Sequence, residues 1–213
     1  MKIAIFGATG IVGKAVVDEA LKAGHELTVL TRDASKIKAN SKRLHVMEGD
    51  VTDRNVVHCL LQGQEAVIQT LGIGGKGDGK PTTFVSECNK TIMEEMEKSN
   101  VKRLVAISVI GAGDSISFLP WLYRKLVMPL FMKWFQAIID DKNRMEAMIV
   151  KSQLDWTIVR STTVNNKPAT GRYNATLTGE KLKYSISAKD LAKFIVEEVA
   201  EQKYIKRSPT ISN

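Results

Sequence analysis

Cysteine is almost missing from this chain. Two occur in 213 residues, Cys59 and Cys88, and no short metal-ligating or redox motif joins them. That excludes a disulfide framework and a cysteine-built zinc site, and predicts two ordinary reduced thiols. Histidine is nearly as scarce. His25, His45 and His58 all fall in the first third, so no imidazole is expected on the substrate side. No uncharged apolar run reaches the roughly 18 residues a membrane-spanning helix needs. The opening Met1–Phe6 runs straight into a strand-like stretch with no small-residue cleavage site, so no signal peptide is read and a cytoplasmic location is expected. Repeats, long linkers and low-complexity stretches are also missing. Residues 1–213 therefore read as a single domain.

What is plentiful is positive charge. Lysine and arginine number 31 against 23 acidic residues, a net charge of +8. The excess is scattered: Lys36, Lys38, Lys42 and Arg43, then Arg124, Lys125 and Lys133, then Lys181, Lys183, Lys203, Lys206 and Arg207. No basic stretch is interleaved with the stacking aromatics of a single-strand binder, so nucleic acid is not the expected partner. A basic surface that also attracts phosphates is.

Hydrophobic patterns alternate between strand and helix from the start, the mark of an α/β fold with a mostly parallel, doubly wound sheet and helices on both faces. Strands are predicted at Lys2–Phe6, Glu26–Thr31, Arg43–Glu48, Glu65–Leu71, Arg103–Ser108 and Trp156–Arg160. Helices are predicted at Ile11–Ala23, with Gly24 just past its end, and at Asp53–Leu61, Thr82–Ser99, Gln136–Ser152 and Ser187–Ala200. Ser187 and Asp190 have the spacing of a capping box. Alternation over Gly171–Tyr184 suits a hairpin turning at Thr178–Gly179. The eight methionines read as core packing.

Phe118–Phe135 breaks this regularity. It is rich in Leu, Phe, Trp and Met, yet interrupted by Pro120, Pro129 and three basic residues. A helix lying on a membrane surface is one reading. A lid over a ligand pocket, or an oligomer contact, is preferred for this 116–136 segment because it interrupts an otherwise regular series.

The chemistry concentrates where the first strand meets the first helix. Gly7-Ala8-Thr9-Gly10-Ile11-Val12-Gly13 spaces glycines for a tight turn, for backbone approach to a pyrophosphate and for close helix–strand packing. The helix N-terminus beyond it offers unpaired N–H groups to phosphate. After the second strand comes Thr31-Arg32-Asp33-Ala34-Ser35-Lys36. Arg32, with Ser35 and Lys36, suits the 2′-phosphate of NADP, whereas an acidic residue there would hold the ribose of NAD. Asp33 either contacts a ribose hydroxyl or caps the following turn. Asp50 is placed to accept from the adenine amino group, or else Asp50 or Thr52 caps the next helix. Thr70-Leu71-Gly72 ends the fourth strand beside the ribose, and Gly72–Gly79 is glycine-rich and expected to be mobile. Ser108, ending the fifth strand, is positioned for the carboxamide or the substrate, or for its own backbone alone.

These stretches, with Gly49-Asp50-Val51, Ala66-Val67-Ile68, Pro81-Thr82-Thr83, Asp140-Asp141, Arg144-Met145, Ile186-Ser187 and Asp190-Leu191, resemble the atypical short-chain dehydrogenase/reductases. Within them the chain is most similar to the flavin reductase/biliverdin-IXβ reductase group and its bacterial NAD(P)H-binding relatives. The resemblance runs in order through nearly the whole chain. It implies a dinucleotide site lined by Gly7, Thr9, Gly10, Gly13, Arg32, Ser35, Lys36, Asp50, Val51, Leu71 and Gly72, flanked in the loop by Ile11 and Val12. It also implies that Lys142 and the Thr162-Thr163-Val164 turn lie near the nicotinamide half. The chain departs from the pattern too. No tyrosine has a lysine four residues later, Val109 stands where a serine is expected, and Thr163 replaces an expected histidine.

Together these readings give an NADPH-dependent reductase, with NAD as the alternative cofactor. It would transfer hydride to a small planar acceptor, a flavin or quinone, with Ser108 and Lys142 as candidate catalytic residues. A flavin accepts hydride with little help from a protein acid, which fits the missing tyrosine. The alternative is an NAD(P)H-binding sensor or partner-binding protein that has lost catalysis. An epimerase is disfavoured by the same missing pair.

Overall fold

The computed structural model describes residues 1–73, 80–127 and 133–213. Residues 74–79 of the glycine-rich stretch and 128–132 of the apolar segment lie outside the described residues. The main strands are β1 (Lys2–Phe6), β2 (Glu26–Thr31), β3 (Leu44–Glu48), β4 (Ala66–Gln69), β5 (Arg103–Val109) and β6 (Asp155–Ser161). The helices between them are α1 (Ile11–Lys22), α2 (Arg54–Leu61), α3 (Phe84–Lys98) and α4 (Lys133–Lys151). Short β7 (Thr163–Asn165), β8 (Asn174–Thr176) and β9 (Ser185–Ser187) precede α5 (Ala188–Glu201) and β10 (Thr210–Ser212).

The main sheet has the order β3-β2-β1-β4-β5-β6-β10-β8. It is parallel except at its edge, where β8 runs antiparallel to β10. The doubly wound three-layer expectation is met. Strand order reverses between β1 and β4, which opens a crevice beyond the C-terminal strand ends.

Both faces of the sheet are covered, as the continuous apolar strands require. Along β1, Ile3 and Ile5 pack with Val16 of α1 and Ile195 of α5. The intervening Ala4 and Phe6 pack with Leu60 of α2 and Ile92 of α3. Every one of these side chains is at most 1% exposed. Side chains alternate across a strand, so one short sequence serves two cores.

Two predictions are corrected in the C-terminal third. Gly171–Tyr184 is not a hairpin. β8 pairs with the distant β10, and β9 pairs in parallel with β7 in a separate two-stranded sheet. Gly179 does turn the chain with φ +83°, but the Phe118 ring seats against it, where a Cβ would come within 2.7 Å. The capping box at α5 forms by half. Ser187 Oγ accepts from the Asp190 N–H at 3.0 Å, but the Ser187 N–H goes to Asn213 Oδ1. The Asp190 carboxylate instead accepts from the Thr170 and Gly171 N–H groups, both at 2.9 Å. It thereby holds the 166–171 loop against α5, which a longer Glu reaching back along the helix would not do.

At the N-terminal end of the sheet, Arg103 and Glu198 are buried together, 2.8 Å apart. Arg103 also donates to the Asp155 carbonyl and Thr157 Oγ1, both at 2.9 Å, joining β5, β6 and α5. Burial pushes this guanidinium below its ordinary value, against the pull of Glu198. Glu198→Ala leaves a buried charge unpaired and is expected to cost about 3–5 kcal/mol in urea unfolding. The double replacement Arg103→Met with Glu198→Leu is expected to cost clearly less, since no charge remains to be desolvated.

Candidate functional site

The crevice beyond β1, β2 and β4 is a cleft of about 290 Å³ lined by Gly7, Thr9, Gly10, Arg32, Asp33, Lys36, Asp50, Val51, Thr70, Leu71 and Gly72 among others. Phe6, Leu30, Thr31, Gly49, Ile73 and Phe84 complete it. Thr31 and Gly49 stand at the edges of stretches already read from the sequence; Leu30, Ile73 and Phe84, as apolar wall residues, carry no motif of their own.

The glycine loop works through two close contacts and one space. Gly7 has φ +89°, and a Cβ there would meet Thr70 at 2.8 Å. At Gly13 a Cβ would stand 2.0 Å from the Gly7 carbonyl oxygen, so only glycine lets α1 sit this close to the turn. Gly10 differs. Its φ is −72°, and a Cβ would meet only the Gly7 oxygen, at an ordinary 3.4 Å. The protein itself leaves that position open.

The helix start tells the same story. No side chain caps α1, and its first turn holds no acidic residue. Three other helices, α2, α3 and α5, have a carboxylate or hydroxyl there. Asp53 caps α2, accepting from Asn55 N at 2.9 Å, and Ser187 caps α5. Asp141 of α4, buried, accepts from the Val85 and Ser86 N–H groups of α3. The first N–H groups of α1 are left for an anion. Within the loop Gly13 is buried and Ile11 is half exposed, while Val12 packs toward the core.

Asp33 caps the turn after β2, accepting from Ser35 N at 3.0 Å and Ser35 Oγ at 2.6 Å. Lys36 Nζ lies 3.5 Å from the other oxygen. These bonds, led by the Ser35 hydroxyl, hold the Asp33 carboxyl below its usual range. Arg32 is exposed at the cleft. Asp50 does not cap α2. Its carboxylate closes a local turn on Thr52, accepting from N at 2.8 Å and Oγ1 at 2.7 Å, and Asp53 is the cap instead.

The expected nicotinamide side lies further along the same sheet edge. Lys142 is not a solvated surface lysine. It is 3% exposed, and its Nζ donates to the Ile107 carbonyl at 2.7 Å and the Leu71 carbonyl at 3.1 Å. Burial pulls its pKa down to about 8, against the carboxylates of Asp141 and Glu146. It stands beside the cleft, since Leu71 lines it. Ile138 occupies the position one helical turn earlier, so no phenol accompanies the ammonium. Ser108 is fully buried, and its Oγ has no hydrogen-bond partner among the described residues. The same is true of Gln69 Oε1 and Asn89 Oδ1.

Thr162, Thr163 and Val164 stand apart from the cleft lining. Thr162 bonds the Ile211 carbonyl through both N and Oγ1, and Thr163–Asn165 is strand β7 rather than a turn. The loop after β5 is fixed by a group the sequence reading missed. Arg160, buried, binds Glu146 through two bonds of 2.7 and 3.1 Å and Asp114 at 2.5 Å. Its three members come from three elements, so no spacing announces it.

A parallel sheet with a crevice at its switch point, a glycine turn and an uncapped helix start define a dinucleotide-binding protein of the Rossmann class. The chain belongs to the NAD(P)H-binding family, whose model matches residues 7–202. It is similar to the UPF0659 protein YMR090W of Saccharomyces cerevisiae, 26% identical over 92% of this chain and 86% of the relative. Solved structures share the fold across 100% of this chain. One is a short-chain dehydrogenase/reductase from Veillonella parvula in complex with NADP, with 94% of its chain covered, TM-score 0.81 and 18% identity. Another is ChuY, an anaerobillin reductase from Escherichia coli O157:H7, with 97% covered, TM-score 0.80 and 22% identity. The expected NAD(P)H-binding family and doubly wound fold are thus borne out, and that fold is shared with a short-chain dehydrogenase/reductase and with a reductase.

The room at Gly10 separates a binding role from a folding one. Gly10→Ala is expected to change stability by less than about 1 kcal/mol, the scale of an N-cap exchange. It should weaken dinucleotide binding about ten-fold or more, because the new methyl points into the cleft. Gly13→Ala should lower the melting temperature as well. Thermal melts and cofactor titration of the two variants make the comparison.

Proposed function

We propose that this protein is an NADPH-dependent reductase that passes hydride to a planar acceptor such as a flavin or quinone. The observation that carries the reading is the pairing of an uncapped α1 start with a cleft whose far end presents Arg32 and Lys36. The N–H groups of Ile11, Val12 and Gly13, with Thr9 beside them, would hold the pyrophosphate. Arg32 and Lys36, with Ser35 adjacent, would hold the 2′-phosphate. Asp33 is engaged by its own turn, which leaves it poorly placed to claim a ribose hydroxyl as an NAD-specific acid would. Asp50 and Val51 would flank the adenine, and Thr70, Leu71 and Gly72 the ribose.

When bound, the reduced nicotinamide supplies the hydride. The chain's part is to position it and to balance charge. Ser108, buried and without a side-chain partner among the described residues, orients the carboxamide or the acceptor. Lys142 holds the ends of β4 and β5 together and keeps a proton beside the charge that develops on the acceptor. Thr162, Thr163 and Val164 border the acceptor side. Val109 and Thr163 make a general acid of the serine or histidine kind unavailable there, which favours acceptors that take hydride directly.

The first test follows loss of reduced-nicotinamide absorbance with FMN, riboflavin and small quinones, NADPH and NADH in parallel. Acceptor-dependent oxidation that prefers NADPH supports the reading. Tight NADPH binding with no oxidation of any acceptor would instead favour a sensor. Arg32→Glu should weaken NADPH about ten- to hundred-fold, the value of a charge-assisted hydrogen bond, and leave NADH nearly unchanged.

A pH profile tests Lys142. Its pKa near 8 means the ammonium is present below that pH and lost above it. The rate is therefore expected to fall as pH rises through about 8. In Lys142→Met that limb should vanish, with cofactor affinity measured alongside to separate binding from turnover.

A further inference from the structure

The described part of the 116–136 segment keeps Ile116, Phe118 and Leu119 half-buried but turns three apolar side chains outward. Trp121, Leu122 and Leu126 are 65, 59 and 51% exposed, more than a packed lid allows. Arg124 and Lys125 lie between them in sequence, and Lys125 is exposed. From Ser115 to Ile139 the sequence contains three basic residues and no acidic one. The neighbouring 177–184 loop reaches this segment through Gly179, which packs against Phe118. It adds exposed Leu177 and Tyr184, with Lys181 and Lys183 against the single carboxylate of Glu180.

We infer that this face docks on an anionic lipid surface, with Trp121, Leu122 and Leu126 entering the headgroup–acyl boundary and Arg124 and Lys125 pairing with lipid phosphates. Tryptophan and leucine beside basic residues is the composition of helices that lie in a bilayer interface. Charge complementarity decides against a second copy of this chain. A self-contact there would set Arg124 and Lys125 against their own counterparts, in a protein that already carries a net charge of +8. None of the described helices is long and apolar enough to cross a membrane, so the contact is with one leaflet. The segment follows β5, at the sheet edge that holds the cleft, so docking turns that edge toward the lipid. The inference does not depend on what the acceptor is.

The test sediments the full chain with vesicles of phosphatidylcholine alone and of phosphatidylcholine mixed with phosphatidylglycerol. Binding is expected only to the mixed vesicles, and should fade as salt is raised. Each basic residue near such a surface is worth about 1 kcal/mol, so Arg124→Gln with Lys125→Gln should weaken partitioning about thirty-fold. Leu122→Ser with Leu126→Ser should abolish it, while circular dichroism and NADPH affinity hold. Two results overturn the inference. One is no sedimentation with mixed vesicles, or sedimentation that neither pair of substitutions changes. The other is a concentration-dependent dimer, broken by the leucine replacements, in a protein that ignores vesicles.

Discussion

The distance between Gly13 and the Gly7 carbonyl governs this molecule. A methyl group at Gly13 would need the space that oxygen occupies. Because it is absent, α1 starts directly against the end of β1. The helix dipole then points into the crevice from the shortest possible range, and its N–H groups face open space rather than a capping side chain. Position, charge and vacancy come from one contact. Where the fold needs a helix only for packing, it closes the N-terminus with Asp53, Asp141 or Ser187.

The other half of the crevice is held by buried charge. Lys142 bridges the Leu71 carbonyl just past β4 and the Ile107 carbonyl within β5, and Arg160 ties the following loop to α4 through Glu146. Ions this deep are expensive to desolvate and are kept where a hydrogen-bonded geometry must not drift. Ser108 Oγ, Gln69 Oε1 and Asn89 Oδ1 are also buried here, and the described residues leave them without partners. A core built only for stability would fill such positions with methyl groups. Their presence marks this side of the sheet as the place where something other than packing has set the residue choice.

The first two-thirds of the fold was legible because parallel strands buried on both faces and amphipathic helices announce themselves by period. Lys2–Phe6 and Glu26–Thr31 agree with the structure to the residue. The phosphate loop was legible because its glycines answer to local geometry. The C-terminal third was not. β7, β8, β9 and β10 have three residues each, too few to show a period, and they pair with strands far away in sequence. Alternation in Gly171–Tyr184 corresponds to one three-residue strand, β8, and gave the wrong partner for it. The resemblance placed Lys142 near the nicotinamide half, but its burial escaped for a related reason. A lysine among Asp140, Asp141, Asn143 and Arg144 reads as one more charge on a wet helix, and only the packing of α4 on β4 and β5 reveals that it is dry.

β10 has a consequence for how the chain assembles. It enters the sheet between β6 and β8, so β8, completed at Thr176, has no main-sheet neighbour until Thr210 arrives. The order β3-β2-β1-β4-β5, by contrast, can close from contiguous sequence alone. Folding therefore divides into an early nucleotide half and a late edge that waits on long-range loop closure. Exchange of the β8 and β10 amides reports opening of that edge, while the paired amides of β1 stay protected in the same molecule. A chain caught between these two stages would already hold its dinucleotide while the sheet beyond β6 remained unfinished.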